Sequence, residues 1–263
     1  MPPLPTVTAL KRQFDKHNLQ AAREFAPGFT LGAIAIDQVL GGFSYGALHE
    51  VLPDKLQDSA AATGFALALV QRSAVKGTLL WIRQEEVDAK TGQLYAPGMV
   101  EVGLDPTRVV LVRARDAADA LYAAEEGARC PAVAMVLLET WKRPEALNLT
   151  ATRRLAFAAG KSGVTILLLR RGTEPEPSVA ETRWLIRSVA SRALEANAPG
   201  FPAFHLTLLR HRRGIIGLDW KLEWKRDRQC FEEWSPLPSP VVAFTANRPV
   251  ARLWKEAAIR QFG

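Results

Sequence analysis

From Leu48 onward, short apolar runs alternate along the chain with longer segments in which apolar residues recur at helical spacing. The apolar runs have the length of single strands and contain no regular polar positions. This pattern is typical of strands that are covered on both faces, as in a parallel sheet. The predicted strands are Leu48–Leu52, Thr78–Ile82, Val109–Val112, Val133–Leu138 and Val164–Leu169.

The segments between these strands are predicted to be helical because of their apolar spacing. The predicted helices are Ser59–Ala74, Gly92–Val102, Ala117–Ala128 and Thr150–Ala159. Pro97 and Gly98 interrupt the second of these segments. Strands that alternate with helices indicate an α/β fold, with a doubly wound and mostly parallel sheet flanked by helices and joined by right-handed crossovers.

After the last of these strands the pattern changes to strict alternation, which is typical of half-buried antiparallel strands. One alternating run contains Phe204, Leu206 and Leu208, and a turn follows at residues 211–214. The second run alternates Leu218, Trp220, Leu222 and Trp224 with Asp219, Lys221, Glu223 and Lys225. The sequence therefore predicts a C-terminal antiparallel hairpin. The alternation favours core positions for both tryptophans over exposed rings that stack on nucleic-acid bases.

The two ends of the chain differ from this core. We predict an N-terminal helical arm at residues 1–30, the core at residues 31–234, and a proline linker with a C-terminal helix at residues 235–263. The apolar stripe of that helix consists of Val250, Leu253, Trp254 and Ala257. A stripe on a tethered helix suits a groove on a partner protein. The alternative is that the helix folds back onto its own core.

The stretch Ile36–Val70 has the strand, loop and helix layout of a phosphate-binding loop. A working loop needs glycines whose N–H groups wrap the phosphates, a lysine, and a Ser or Thr for Mg²⁺. No glycine occurs between Leu52 and Thr63, so the GxxxxGK[ST] motif is missing. The degenerate loop contains Pro53, Asp54, Lys55, Asp58 and Ser59.

A second match, Gly160-Lys161-Ser162, reproduces only the end of that motif. It closes a predicted helix instead of opening one, which indicates a helix C-terminus with a nearby lysine. We therefore expect neither a nucleotide nor Mg²⁺ as a cofactor. Cys130 and Cys230 lie far apart without a CxxC pair or paired histidines, and we predict two free thiols and no metal site.

The segment LGGFSYGALHEV, residues 40–51, resembles the start of the core of the RecA recombinase, where a glycine-rich turn and a strand lead into the phosphate loop. Among RecA-like proteins, the chain is similar to the ImuA family, accessory proteins of a bacterial cassette for mutagenic translesion synthesis. The similarity covers Leu31 to Trp224 as an order of elements. It implies a RecA-like core.

The resemblance also implies where catalytic groups would lie. Glu85 follows a predicted strand at the position of the water-activating glutamate, and Glu139 ends another at the position of the Walker B acid. Arg170 and Arg171 stand where the recombinase has an Asn-Gln pair that senses nucleotide. Without an anion cradle, the preorganised electrostatics of phosphoryl transfer are missing. We interpret the site as a degenerate ATPase in which both glutamates are vestigial, or simply carboxylates at strand ends.

The formal net charge of +7 suggests a polyanionic partner. The recombinase has a mobile DNA-binding loop after the last predicted parallel strand, and an arginine cluster follows on the hairpin. The predicted DNA or partner contacts are Arg170, Arg171, Arg187, Arg210, Arg212, Arg213, Lys221 and Lys225. The alternative for the hairpin cluster is a solvated turn. No apolar run approaches the roughly 20 residues of a membrane span.

The resemblance implies a cytoplasmic, nucleoid-associated protein that supports SOS-induced, error-prone translesion synthesis without catalysis. Its expected partners are an ImuB-like protein, the RecA recombinase and an error-prone replicative-type polymerase, with single-stranded DNA and a homo-oligomer as further candidates. Two alternatives stay open: a RecA-like DNA-dependent ATPase with an unusual phosphate loop, and an SOS inhibitor of cell division. Fold-level likeness alone does not decide between them.

Overall fold

A computed structural model of the protein describes residues 28–198 and 200–234. The strands are β1 (Gly28–Phe29), β2 (Phe43–Ser44), β3 (Leu48–Pro53), β4 (Thr78–Gln84), β5 (Val109–Ala114), β6 (Val133–Trp141), β7 (Thr165–Arg171), β8 (Thr182–Val189), β9 (Ala203–His211), β10 (Leu218–Lys225) and β11 (Cys230–Glu233). The helices are α1 (Ile34–Leu40), α2 (Ser59–Arg72), α3 (Glu85–Thr91), α4 (Ala96–Glu101), α5 (Ala117–Arg129) and α6 (Leu149–Ser162).

Nine of the described strands form one sheet in the order β11-β10-β9-β8-β3-β7-β6-β4-β5. The strands from β8 to β5 in this order pair in parallel. The strands β8, β9, β10 and β11 pair antiparallel. The predicted α/β class, the mostly parallel sheet and the C-terminal antiparallel hairpin are therefore confirmed.

The sheet has a hydrophobic core on each face. On the first face, α2 packs on β3, β7 and β8, and α1 joins the same core through Ile36 and Leu40. Trp184, Phe204 and Trp224 also belong to this core. On the second face, α5 packs on β4, β5 and β6 and α6 packs on β3 and β7. The predicted core position of Trp224 is confirmed, and Trp220 packs partly buried against the same cluster.

Local signals fix the ends of the helices. Asn148 caps α6 by accepting hydrogen bonds from the amides of Thr150 and Ala151 at 3.0 and 3.1 Å. The helix ends at Gly163, whose φ of 81° is accessible to glycine without strain. The Gly160-Lys161-Ser162 tripeptide therefore closes a helix, as predicted. Gly41, with φ of 73°, closes α1 in the same way.

Two segments differ from the sequence prediction. The predicted helix Gly92–Val102 forms only over Ala96–Glu101, which is α4 and has a proline in its first turn. The preceding α3 ends at Thr91, with Gly92, whose φ is 83°, as its C-cap. Thr182–Val189 is not among the predicted strands but forms β8. Arg183 and Arg187 interrupt its apolar pattern, although both flank core residues.

The predicted N-terminal arm lies outside the described residues except for residues 28–30, and so does the proline linker. The proposed partner helix, with Val250, Leu253, Trp254 and Ala257, also lies outside them. None of the helices in the described part is both long and apolar enough to cross a membrane.

Candidate functional site

The loop between β3 and α2 is closed on itself by hydrogen bonds. A single 3₁₀ turn, Leu56–Asp58, replaces the wide glycine-rich loop of a phosphate site. The amide of Asp54 donates to the carbonyl of Ile186 at 2.8 Å, and that of Lys55 donates to the Asp58 carboxylate at 3.2 Å. The amides of Asp58 and Ser59 donate to carbonyls within the same turn. These four amides therefore already have acceptors inside the protein.

A carboxylate of the chain lies at the start of α2, the place where a helix attracts negative charge. Asp58 is buried, and its Oδ1 accepts hydrogen bonds from the amide and hydroxyl of Ser188 at 2.9 and 2.7 Å. Its Oδ2 accepts the hydrogen bond from Lys55. The Lys55 side chain itself is exposed. The Asp58 carboxylate is thus the negative group at the start of α2, and it is hydrogen-bonded to β8.

Glu139, near the carboxyl end of β6, is completely buried between two arginines and a tryptophan. Its Oε1 accepts a hydrogen bond from Trp81 Nε1 at 2.8 Å. Its Oε2 accepts hydrogen bonds from Arg171 Nε and Nη2 at 3.2 and 3.1 Å and from Arg83 Nε at 3.4 Å. Both carboxylate oxygens are therefore engaged by neighbouring strands β4 and β7.

Arg171 extends from the end of β7 to the start of α2. Its Nη1 donates to the carbonyl of Ser59 at 3.3 Å, and its Nη2 donates to the hydroxyl of Thr63. One guanidinium thus connects β7, β6 and the first turns of α2. A Ser or Thr in this part of a phosphate site would contact Mg²⁺, whereas here the hydroxyl of Thr63 accepts from an arginine.

Arg83 holds the other side of the cluster. Its guanidinium forms an ion pair with Asp88 on α3 and donates to the Thr91 hydroxyl at 3.0 Å and to the Gly92 carbonyl at 3.2 Å. Arg83 and Arg171 are thus balanced by Glu139 and Asp88, and Asp88 also pairs with Arg113 at 3.3 Å. Such a buried set is stable only while all partners are present.

The residues at this site do not fit a nucleoside triphosphate with Mg²⁺. Four amides of the loop are already hydrogen-bonded, and Arg171 contacts the first turns of α2, where a Ser or Thr would hold the metal. Both oxygens of Glu139 are occupied by cationic and indole donors. Glu85, the first residue of α3, is exposed to solvent. Among the described residues no His, Cys, Asp and Glu group could hold a metal ion.

The loop after β7 is held by one glutamate, Glu176. Its carboxylate forms ion pairs with Arg170 and Arg143, and its carbonyl accepts a hydrogen bond from Arg183. Arg170 and Arg171, which we predicted as contact residues, are 1% and 3% exposed. Both side chains are thus buried and ion-paired in the folded chain, and their role as contacts stays a prediction.

The other predicted contact residues are on the surface or at its margin. Arg187 and Lys221 lie in register with His205 on the sheet face opposite α2. Arg187 Nη2 donates to His205 Nδ1 at 3.0 Å, so that the neutral ring accepts. Partial burial, followed by the charge of Arg187, lowers the pKa of His205. Of these three aligned side chains, Arg187 and Lys221 therefore carry the positive charge, and the ring of His205 between them is neutral.

At the end of β9, Arg210 and Arg212 are exposed and each is tied to the loop before β8. Arg210 Nη1 donates to the Ser178 carbonyl at 2.6 Å, and Arg212 lies 4.0 Å from Glu181. Arg213 Nη1 donates to the Leu40 carbonyl at 3.3 Å. Lys225 is half-buried and pairs with Glu223 at 2.6 Å. Their role as contacts stays a prediction.

One edge of the sheet, β5, exposes apolar side chains beside Arg113. β5 pairs only with β4 in the described part, and its side chains Val110 and Leu111 are 49% and 38% exposed. Nearby α4 exposes Val100. An exposed edge strand with apolar side chains can pair with another chain.

Sequence reasoning missed the partners of Glu139. Arg83 was placed just beyond a predicted strand, but β4 extends to Gln84 and buries it. The available signal was an arginine directly after the apolar residues Trp81 and Ile82. A charged residue continuing such a run indicates a buried ion pair when an acid ends a neighbouring strand.

Fold and site together define the class of protein: a RecA-like core in which the chain's own side chains occupy the strand ends around Glu139 and the start of α2. The crystal structure of the RadB recombinase matches this fold with a TM-score of 0.54 at 15% identity, covering 79% of this chain and all of that one. The chain is also 32% identical over 254 residues to protein ImuA from two strains of Caulobacter vibrioides, covering 90% of this chain and 96% of the relative. It belongs to the ImuA family. No family model matches the sequence.

Proposed function

We propose that this protein is a non-catalytic, RecA-like accessory factor in DNA damage tolerance that acts by docking to other proteins. Membership of the ImuA family supports an ImuB-like protein as one partner, and the RecA-like core supports the recombinase as another. We further propose that it serves SOS-induced, error-prone translesion synthesis together with a replicative-type polymerase at the nucleoid.

The observation that carries this proposal is the Glu139 cluster. In a RecA-like ATPase the acid at this strand end must be free to act on Mg²⁺ or water, whereas here Arg83, Arg171 and Trp81 engage both of its oxygens. A carboxylate that is engaged in this way is not available for phosphoryl transfer. This disfavours the alternative of an active ATPase with an unusual phosphate loop.

The β5 edge is the docking surface that we propose for a RecA-like partner. Its backbone groups have no strand beyond them in the described part, and Val110 and Leu111 would be covered by an added strand. Strand addition combines main-chain hydrogen bonds with burial of alternate side chains. The basic residues Arg187 and Lys221, together with Arg210, Arg212 and Arg213, are our candidates for contacts with DNA or an acidic partner.

A binding experiment with full-length protein tests this proposal. The protein is immobilised, and purified recombinase and an ImuB-like protein are passed over it separately. We expect at least one to bind, and Val110→Lys to weaken the binding about tenfold or more because a charge would enter the docked edge. Ile34→Lys is the matched control, since Ile34 is an apolar residue that is 74% exposed on α1, away from the edge.

Two results would contradict the proposal. Absence of binding to both proteins would exclude docking as described, and equal loss with Ile34→Lys would exclude the β5 edge. Calorimetry of the wild-type protein with millimolar ATP and Mg²⁺ is run in parallel and should show no heat of binding. Saturable nucleotide binding that is lost with Glu139→Gln would instead support the ATPase alternative.

A further inference from the structure

A cavity of about 300 Å³ lies at the opposite end of the sheet from Glu139. It is bounded by the start of β3, the loop before β8, the end of β9 and the last turns of α6, and it includes Leu48, Ala156, Gly160, Val179, Arg210 and Arg212. Its volume is at the lower end of the range for ligand pockets. That size suits one large apolar side chain with a short stretch of its backbone.

The floor of the cavity is formed by small and apolar residues. One of them is a glycine on which α6 packs directly. Gly46 has φ of 64°, and a Cβ there would lie 3.0 Å from the Cα of Gly163 and 3.1 Å from the carbonyl of Ala159. A Cβ on Gly160 would meet only the Gly46 carbonyl, at 3.8 Å. Gly160 therefore faces open space, and the absence of its side chain leaves room in the cavity.

The rim of the cavity is cationic. Arg210 and Arg212 line it, and the Arg212 side chain is 69% exposed. Glu181 also lines it, but this carboxylate accepts a hydrogen bond from the Ser44 hydroxyl and faces Arg212. Arg153, exposed on α6, lies one turn before Ala156 on the same helix face. An occupant with carboxylates on either side of an apolar residue would match this arrangement.

We propose that the cavity binds an acidic peptide segment of a partner protein, with one apolar side chain in the cavity and flanking Asp or Glu residues against Arg210 and Arg212. A nucleic-acid strand fits less well, because the floor offers aliphatic side chains without an aromatic ring for stacking. This proposal concerns a surface other than the β5 edge and does not depend on it.

The ends of the chain itself are poor occupants because of their charge. The segment beyond Trp234 carries Arg248, Arg252, Lys255 and Arg260 against one carboxylate, Glu256. Residues 1–27 carry Lys11, Arg12, Lys16 and Arg23 against Asp15 and Glu24. Both are basic, so a cationic rim selects against them and favours a segment of another protein.

A peptide selection tests this proposal. Full-length protein is used to select from a phage-displayed library of random dodecapeptides, and the enriched peptides are labelled with fluorescein for anisotropy titrations. We expect enriched sequences with Leu, Phe or Met between Asp or Glu residues. The Gly160→Gln variant, which fills the cavity with a residue that favours helix, should bind them about tenfold more weakly or worse. Arg212→Ala should weaken binding about fivefold.

Ala118→Gln, on an exposed position of α5, is the matched control and should bind like wild type. Thermal unfolding of Gly160→Gln should not occur at a lower temperature than that of wild type, because glutamine favours helix more than glycine. Absence of enrichment, a basic or uncharged consensus, or equal affinity for Gly160→Gln would overturn the proposal. So would binding of a dT20 oligonucleotide that is lost in Gly160→Gln, which would assign the cavity to nucleic acid.

Discussion

The strand ends around Glu139 and the β5 edge depart in opposite ways from the usual arrangement, in which charged side chains are exposed and apolar side chains are buried. At the carboxyl ends of β4, β6 and β7, charged residues are buried around Glu139. Along β5, apolar residues such as Val110 and Leu111 are exposed. Folding alone favours neither arrangement, since charges are costly to bury and exposed apolar edges invite association.

The difference between these regions separates groups that the chain satisfies by itself from groups that it leaves uncovered. The strand ends around Glu139 form a closed set of ion pairs and hydrogen bonds within the chain. The exposed apolar side chains of the β5 edge would be covered only by another chain. This combination agrees with the proposed function, in which the protein acts by docking.

The largest expected effect comes from removing the centre of the buried cluster. Glu139→Ala leaves Arg83 and Arg171 buried without their shared carboxylate, and we expect a loss of about 3–5 kcal/mol in the free energy of unfolding. Urea denaturation of the purified protein measures this loss.

Glu85→Ala is the control for that measurement. Glu85 also follows the end of a strand in the sequence, but its side chain is exposed. Its removal should therefore change the free energy of unfolding by less than about 0.5 kcal/mol. If both variants were equally stable, the Glu139 cluster would not be a structural replacement for the nucleotide site.

The next effect concerns His49, a neutral ring buried on β3. Nε2 donates to the Ser44 carbonyl at 3.0 Å and Nδ1 accepts from the Thr182 hydroxyl at 2.9 Å. Burial lowers the pKa of His49 below its usual value of 6.5. The unfolded chain therefore binds a proton as the pH falls below 6.5, before the folded protein does, and stability decreases toward acid pH.

The expected slope from this histidine is at most about 1.4 kcal/mol per pH unit below pH 6.5, and none above pH 7.5. Urea unfolding at pH 7.5 and 5.5 measures it, and His49→Gln should reduce the dependence on pH. An unchanged slope in that variant would show that His49 is not the group responsible.

The smallest effect is expected at the free edge. Leu111→Thr replaces a leucine that is 38% exposed with a β-branched residue that favours strands, so the free energy of unfolding should change by less than about 0.5 kcal/mol. Leu137→Thr, at a fully buried position on β6, is the contrasting control and should be clearly destabilising. Comparable losses in the two variants would mean that the edge is part of the core.

The sequence predicts the sheet well because its parallel strands are uninterrupted apolar runs, as in Val133–Leu138 and Val164–Leu169. It also predicts the loss of the phosphate loop, since missing glycines between Leu52 and Thr63 are visible directly. The strand β8 was missed because Arg183 is buried by an ion pair with Glu50, 133 residues away in the chain. The local pattern of apolar and polar residues contains no information about a partner so far away in the sequence.

The Glu139 cluster could not be predicted for a related reason. Its members belong to β4, β6 and β7, and they meet only because β6 lies between the other two strands. No single segment of the sequence determines the order of the strands in the sheet. The positions of Glu139 and Arg171 at strand ends were predictable, whereas their hydrogen bonds to each other were not.

The carboxylate of Asp58 shows why a phosphate site could not be installed in this chain by changing one loop. Grafting a glycine-rich GxxxxGKS segment between β3 and α2 would remove this internal carboxylate and its bonds to Ser188, yet Arg171 would still reach Thr63 and Glu139 would still be held from two strands. An engineered nucleotide site would therefore require coordinated changes in at least three separate segments of the chain.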